Sequence, residues 1–432
     1  MQPWTIGNRG LFSVSLLILL LGLGASAARI IKKYQTPGPP DGVNEGYCDF
    51  HNGIYFPSLA LLNGVSPYGS VYAAEYPVSR QIPFFSPAIV AIHAPLSLLP
   101  LRVSEVLYFA IMVGLVLAIA WQSMTAAGLE KRLDFLLMIA AGIVFSRAGH
   151  VTIFNGYFTF ELVLAVIVAV RFAESRPWLA ALALVMVSAK PTYILPLGFL
   201  MLARGNVKSL VIGAVLSIVA AAVPLAWLGY HEGKGDIAQG IQEIRQQIAD
   251  SQEVHHNEPN ELPVLSWTRV DIFAIYAKWT DQDPSDLAHL LVMFLILAIP
   301  MVILYRRQKA SLDDGVAGIT GAIIMTGMIV GLYRQSYDVL LLVPPIVGAV
   351  AARLDAWKNM RWVERVALIL LMLFPAFNYL STQMILGRFQ LSGEWVRIIT
   401  SVNAFALAFL LVWLIAIAFR AYEARRTTAS KP

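Results

Sequence analysis

Long apolar runs punctuate this chain at about 11–28, 106–124, 134–147, 157–173, 178–189, 190–204, 208–229, 286–305, 316–332, 339–352, 366–383 and 401–419. In hydrocarbon a backbone N–H or C=O has no water to bond, so a run of this kind must satisfy itself as a helix. The pattern predicts a single all-α polytopic membrane domain over residues 1–432, with about twelve transmembrane helices. Several runs are shorter than the ~20 residues of a straight span. Those helices should tilt, end inside the protein or border a water-filled cavity. Composition agrees: 58% of residues are apolar and 14% charged, against roughly a quarter charged in soluble domains. The net charge of +5 has meaning only once divided between the two membrane faces, and it makes no case for nucleic acid. A lone cysteine, Cys48, excludes an internal disulfide framework and is read as a packing residue.

Lys and Arg in short loops set the orientation. The clusters Lys131-Arg132, Arg171 with Arg176, Arg204 with Lys208, Arg306-Arg307 with Lys309, Arg353 to Arg365, and the tail from Arg420 are taken as cytoplasmic, placing both termini inside. Strict alternation does not accommodate all of them if the short runs between Arg171 and Lys208 are half-spans. Phe84 to Pro100 is then an interfacial or re-entrant helix interrupted by Pro87, Pro95 and Pro100. Two long extracytoplasmic loops follow, 29–105 and 230–287, the second with an amphipathic helix over Ile237 to Ile248. This loop is either a solvated cap or a substrate lid. Leu11 to Ala28, ending Ala25-Ser26-Ala27, has features of a signal peptide but reads as an uncleaved first span.

With the sides assigned, the polar residues near the outer face stand out: Asp49, His51, Arg80, Arg147, His150, Asn155, Lys190, Arg334, Tyr337, Asp338 and Arg388. Such groups at membrane depth are functional candidates by default, since burying them is expensive. They gather at helix ends and in loops, which suits a site opening to the outer leaflet more than a transport pathway. Asp49 precedes a short helix over Phe50 to Leu62 and, taken alone, reads first as an N-cap. His51 either orients Asp49, touches substrate or is a solvated loop residue. His255-His256 with Glu253 and Glu258 is assigned no metal, because adjacent His side chains rarely face one ion. No phosphate-cradling Gly loop, nucleophile elbow or Walker sequence is present, and no cofactor is expected.

Several short motifs, in order, carry a family resemblance. They are Asp49-Phe50, Tyr55, Ala60-Leu61-Leu62-Asn63-Gly64 with Pro67-Tyr68, Pro83-Phe84-Phe85-Ser86-Pro87, and Ala94-Pro95-Leu96-Ser97-Leu98-Leu99-Pro100. Asn155-Gly156, Arg176-Pro177-Trp178, Lys190-Pro191 and Arg334-Gln335-Ser336-Tyr337-Asp338 continue it. Together they resemble glycosyltransferase family 87, integral-membrane enzymes of the GT-C type, over roughly residues 40 to 350. Tyr157 and Thr159 stand where the family tends to have Gln and Asn. Arg334 to Asp338 replaces a more usual Ser-Pro and aromatic-rich stretch, so substrate choice is expected to differ.

The resemblance implies a multi-pass enzyme of a prokaryotic inner (plasma) membrane with an extracytoplasmic active site. It also implies transfer of a hexose, with mannose the family's commonest theme, from a polyprenyl phosphate donor with inversion. The acceptor would be a glycolipid or polysaccharide. One carboxylate suffices: Asp49 as general base takes the acceptor's proton, and a departing phosphate needs no acid, so paired carboxylates are not required. The phosphate needs positive charge, for which Arg334 and Lys190 come first, then Arg147, Arg80 and Arg388. His51, Tyr55, Tyr68, Asn155, Tyr337 and Asp338 are the expected substrate contacts, and Tyr47 and Trp267 offer further rings for a sugar. Two rival readings stay open: a transporter or flippase of lipid-linked sugars, and a non-catalytic scaffold of the same fold.

Overall fold

The computed structural model describes residues 4–34, 46–78, 86–256, 266–282 and 284–429. Among these the protein is helical, with two isolated β-bridges and no strand. In chain order, α1 is Arg9–Lys32, α2 Cys48–Phe50, α3 Phe56–Leu62, α4 Ser70–Glu75, α5 Pro87–Ser97, α6 Leu101–Ala126 and α7 Leu133–Phe145. Next come α8 Arg147–Asn155, α9 Thr159–Phe172, α10 Pro177–Ser188, α11 Pro191–Ala203, α12 Val207–Glu232, α13 Ile237–His256, α14 Ile272–Thr280, α15 Asp286–Lys309 and α16 Ile319–Gly331. A 3-10 helix, Ser336–Leu342, leads into α17 Val343–Ala351, followed by α18 Asp355–Lys358, α19 Trp362–Phe377, α20 Gln383–Arg388 and α21 Glu394–Ala429.

Every apolar run of the sequence overlaps a helix, although 134–147 crosses the break at Ser146, 339–352 joins the 3-10 helix to α17, and 366–383 runs past the end of α19. By length and hydropathy, however, the described residues hold five helices able to cross a bilayer: α1, α6, α12 and most of α15 and α21. The bent pair α7–α8 makes a sixth if it is one span. Others, including α10, α11 and α16, are apolar but only 10–17 residues long. Two of these short helices, α10 and α11, still run between the two ends of the bundle. Arg204, after α11, bonds the carbonyl of Val170 near the end of α9, whereas Lys190, before α11, lies against Tyr157 at the other end of α9. α10 and α11 therefore each traverse the bundle. The basic residues Arg171 and Arg204 therefore fall at one end of the bundle. Thr5 pairs with Lys131, and Arg353 lies against Gly128, at that same end.

The opposite end carries the shorter elements. α5 is capped by Ser86, starts on Pro87, and buries Ala88, Ile89, Val90, His93, Leu96 and Ser97, so it is an internal helix packed under α3. α13 extends the expected amphipathic helix and docks on the first loop: the Ser66 hydroxyl donates to Gln247 at 2.6 Å, while Glu232 accepts from the Ser66 N–H at 3.0 Å and from the Gln247 amide at 3.0 Å. The sequence gives no warning of the break at Ser146. There the chain bends by 73° between α7 and α8, and the Ser146 hydroxyl caps the new helix at Gly149 N–H. α8 is thereby turned away from the axis of α7 to lie under Asp49.

Candidate active site

Asp49 lies in the first turn of α2, whose N-cap is Tyr47, so the carboxylate is not a cap. Tyr47 adopts a left-handed conformation, φ 66°, rare and strained for a residue other than glycine. Its backbone N–H bonds the Phe154 carbonyl at 2.8 Å, tying α2 to the end of α8. There Asn155 Nδ2 donates to Asp49 Oδ2 at 3.1 Å, and the Cys48 thiol approaches Oδ1 at 3.7 Å. Gly156 follows with φ +70°, ending α8, and a Cβ there would stand 2.7 Å from Cβ of Phe50. The Asn155-Gly156 pair thus has two physical tasks: one residue holds the carboxylate and the other lets two backbones approach. A π-helical stretch, His51–Tyr55, continues α2, a feature often found beside functional residues.

Past Gly156 the chain places Tyr157 against Tyr337, ring centroids 5.8 Å apart. The Lys190 ammonium stands 5.2, 5.5 and 5.9 Å from the rings of Tyr157, Tyr193 and Tyr337. Pro191 opens α11, so Lys190 occupies an extended joint between two helices and can project its amine sideways. Tyr337 is within electrostatic reach of Asp49. A carboxylate and an ammonium therefore share one aromatic cluster, with Asp49 8% and Tyr157 7% exposed.

Arg334 is placed differently from an open phosphate ligand. Its head is fully buried, donating to the carbonyls of Tyr333 at 2.7 Å and Thr192 at 2.5 Å and stacking 4.1 Å over Tyr193. Tyr193 in turn donates to Asp338, and Asp338 accepts the Gln335 N–H at 2.9 Å. The second long loop braces this segment: Asp271 accepts the Arg334 N–H at 3.1 Å and pairs with Arg269 at 2.8 Å. Burial without a strong partner, Thr400 C=O at 3.3 Å, pulls the nearby Lys278 amine down to about 8.

Around the cluster lie His51, a sequence candidate, and several groups that sequence reasoning does not single out: Glu105, Tyr34, Arg102, Glu161, Tyr108 and His93. His51 is buried and meets Glu105 rather than Asp49, 2.7 Å from Nε2 to Oε1. Tyr34 donates to the same oxygen at 2.7 Å, and Arg102 pairs with Glu105 at 3.2 Å. Glu161 accepts from Tyr108 at 2.9 Å and meets His93 at 3.0 Å. Tyr108 stacks on Phe50 with centroids 4.9 Å apart, which wedges the residue next to Asp49. Only the spacing of Arg102 and Glu105, one helical turn apart, is legible locally; the other contacts join distant segments.

The remaining candidates are dispersed. The Tyr55 hydroxyl donates to Leu99 C=O at 2.9 Å, and Tyr68 is buried beside the Ser66 junction, with burial raising its phenol above the ordinary range. Arg147 is buried at the start of α8, bound to Asn378 and Ser381 and 5.7 Å from Trp267. Arg388 ends the short helix α20 and is exposed. Arg80 lies outside the described residues, as do the side chains of Glu253, His255 and His256 and all of Glu258.

The model of Glycosyltransferase family 87 matches residues 84–330, more than half of the chain. The matched stretch holds His93, Glu105, Arg147, Asn155, Tyr157, Glu161 and Lys190, while Asp49 precedes it and Arg334 to Asp338 follow it. No curated protein and no solved structure matches the chain.

Proposed function

The chain belongs to glycosyltransferase family 87, and on that premise we propose that this membrane glycosyltransferase moves a hexose from a polyprenyl phosphate to an acceptor hydroxyl, with inversion and with Asp49 as the base. The observation that carries the reading is the pairing of one carboxylate and one ammonium in a single aromatic cluster at one end of the bundle: Asp49 held by Asn155, and Lys190 among Tyr157, Tyr193 and Tyr337.

In the proposed step the acceptor oxygen attacks the anomeric carbon while its proton passes to the Asp49 carboxylate. The bond from that carbon to the phosphate oxygen breaks on the opposite face, and the lipid phosphate leaves with the electron pair. Its growing negative charge is met by Lys190, the half-buried cation of the cluster. Arg334 supports this arrangement from behind, by fixing Tyr193 and the carbonyl of Thr192. The tyrosine rings give the sugar apolar faces to stack on. A glycolipid or polysaccharide acceptor and an extracytoplasmic site in the inner membrane complete the reading.

The test is sugar transfer by purified protein in liposomes, offered a panel of polyprenyl phosphate sugars and, separately, nucleotide sugars, with a membrane glycolipid extract as acceptor and Asp49→Asn beside wild type. Transfer from a lipid donor that the variant abolishes is the expected result. Full activity in Asp49→Asn, or transfer only from nucleotide sugars, overturns the reading.

A further inference from the structure

On the far side of the Ser336–Leu342 helix from Tyr337 lies a groove of about 470 Å³. Its walls are apolar side chains of α7, α17 and α19, among them Ile139, Ile143, Val343 and Ala376. At one end stand Arg132 and Arg353; at the other it reaches Ser146 and Phe377. Volume and lining are those of a site for a small-molecule-sized apolar body.

Directly beyond that second end the chain places cations without acids. Arg147 follows Ser146 and is 1% exposed, its guanidinium held by Asn378 C=O at 3.0 Å and by the Ser381 hydroxyl at 2.5 Å, with Nε left unbonded. Arg29, at the end of α1, stacks 4.3 Å over Phe154 and donates to His150 Nε2 at 2.5 Å. Tyr379 lies within electrostatic reach of both arginines and donates to Phe145 C=O at 2.9 Å. Among the described residues neither arginine has a carboxylate within ion-pair distance. For Arg147, buried with no counter-charge, the cost is high and the carbonyl of Asn378 offsets only part of it, whereas Arg29 is exposed. An apolar groove that ends at Ser146 and Phe377, the residues next in sequence to Arg147 and its partner Asn378, matches a lipid with an anionic head.

We propose that this groove binds one acidic phospholipid, its phosphodiester bridging Arg29 and Arg147 with Tyr379, and one chain lying between α7, α17 and α19. The lipid is not the sugar donor: Val339 and Leu340 present the groove face of the 3-10 helix, whereas Tyr337 presents the Asp49 face of the same helix. The site stands whether or not the proposed sugar transfer is right, because its readout is lipid retention.

The experiment is native mass spectrometry of the full chain released from nanodiscs of phosphatidylcholine with phosphatidylglycerol. Wild type should retain a single phosphatidylglycerol. Arg29→Gln should lower its occupancy about tenfold, the loss of one charge-assisted contact. Gly142→Leu should do likewise by filling the groove, since Gly142 is on the groove wall and a Cβ there meets nothing within 4 Å. Lys309→Gln, an exposed cation at the other end of the bundle, should retain the lipid as wild type does. Equal occupancy in wild type, Arg29→Gln and Gly142→Leu overturns the site. Equal retention of phosphatidylcholine overturns the acidic class, and displacement of the lipid by polyprenyl phosphate overturns its separation from the donor.

Discussion

Asn155 Nδ2 donates to Asp49 Oδ2 at 3.1 Å across a sequence separation of 106 residues, so the proposed base is held by the residue that closes α8. An amide keeps the carboxylate oriented without sharing its proton. Asn155→Asp should reverse that: two carboxylates at this distance cannot both ionise readily, so the pair holds a proton to higher pH. The acid limb of the kcat/KM profile is then expected to move up by at least about one pH unit. Asn155→Ala should lower kcat with the limb near its original place. An unmoved limb in Asn155→Asp would separate Asn155 from the titrating group.

Gly156 tests the local geometry behind that contact. Its φ of +70° and the 2.7 Å approach to Phe50 Cβ leave no room for a side chain. Gly156→Ala should cost roughly 1–3 kcal/mol in unfolding free energy and lower transfer as well, by moving α2 off α8. Gly24→Ala, in α1 where a Cβ meets nothing within 4 Å, is the control and should be neutral or stabilising by up to about 1 kcal/mol. Chemical denaturation in a mild detergent compares the two.

The apolar runs already place nearly every helix of the bundle, because in hydrocarbon a run's length and polarity decide its structure almost alone. Asp49 and the Asn155-Gly156 pair are legible for a similar reason: a polar residue and a helix-ending glycine stand out against an apolar chain. The break at Ser146 is not, since Phe145 and Arg147 flank it without a proline and the bend comes from tertiary packing of α8. Nor are the partners of His51 and His93, which lie 54 and 68 residues away. Arg334 shows what charge type alone leaves out: the sequence marks it as a phosphate ligand, and the fold adds that its head is buried against two carbonyls and a ring.

Lys190 and Arg334 should therefore respond differently to substitution. Lys190→Met keeps the stem's packing and removes the charge, so kcat/KM should fall by roughly 10²- to 10³-fold with unfolding little changed. Lys190→Arg should recover part of it. Arg334→Gln should instead lower stability, because two buried carbonyls lose their donors. Thermal unfolding measured beside transfer rates distinguishes a charge needed in the reaction from one needed in the fold; equal stability losses in both variants would contradict this division.

Lys278 gives a stability signature with a defined sign. It lies in α14, 2% exposed, and burial lowers its amine to about 8, from about 10.4 in an unfolded chain. Between those two values the unfolded chain binds more protons than the folded one, so stability rises as pH rises through that window. Below about pH 8 both states are protonated and the burial penalty is present in full; above about 10.4 both are neutral and it is gone. The shift corresponds to roughly 3 kcal/mol across the window. Urea unfolding of wild type and Lys278→Met, measured at steps from pH 7 to above 10, should show the rise in wild type and a flatter profile in the variant, which is also the more stable of the two at neutral pH. Parallel profiles would mean that the Lys278 amine keeps its ordinary affinity for a proton despite the burial.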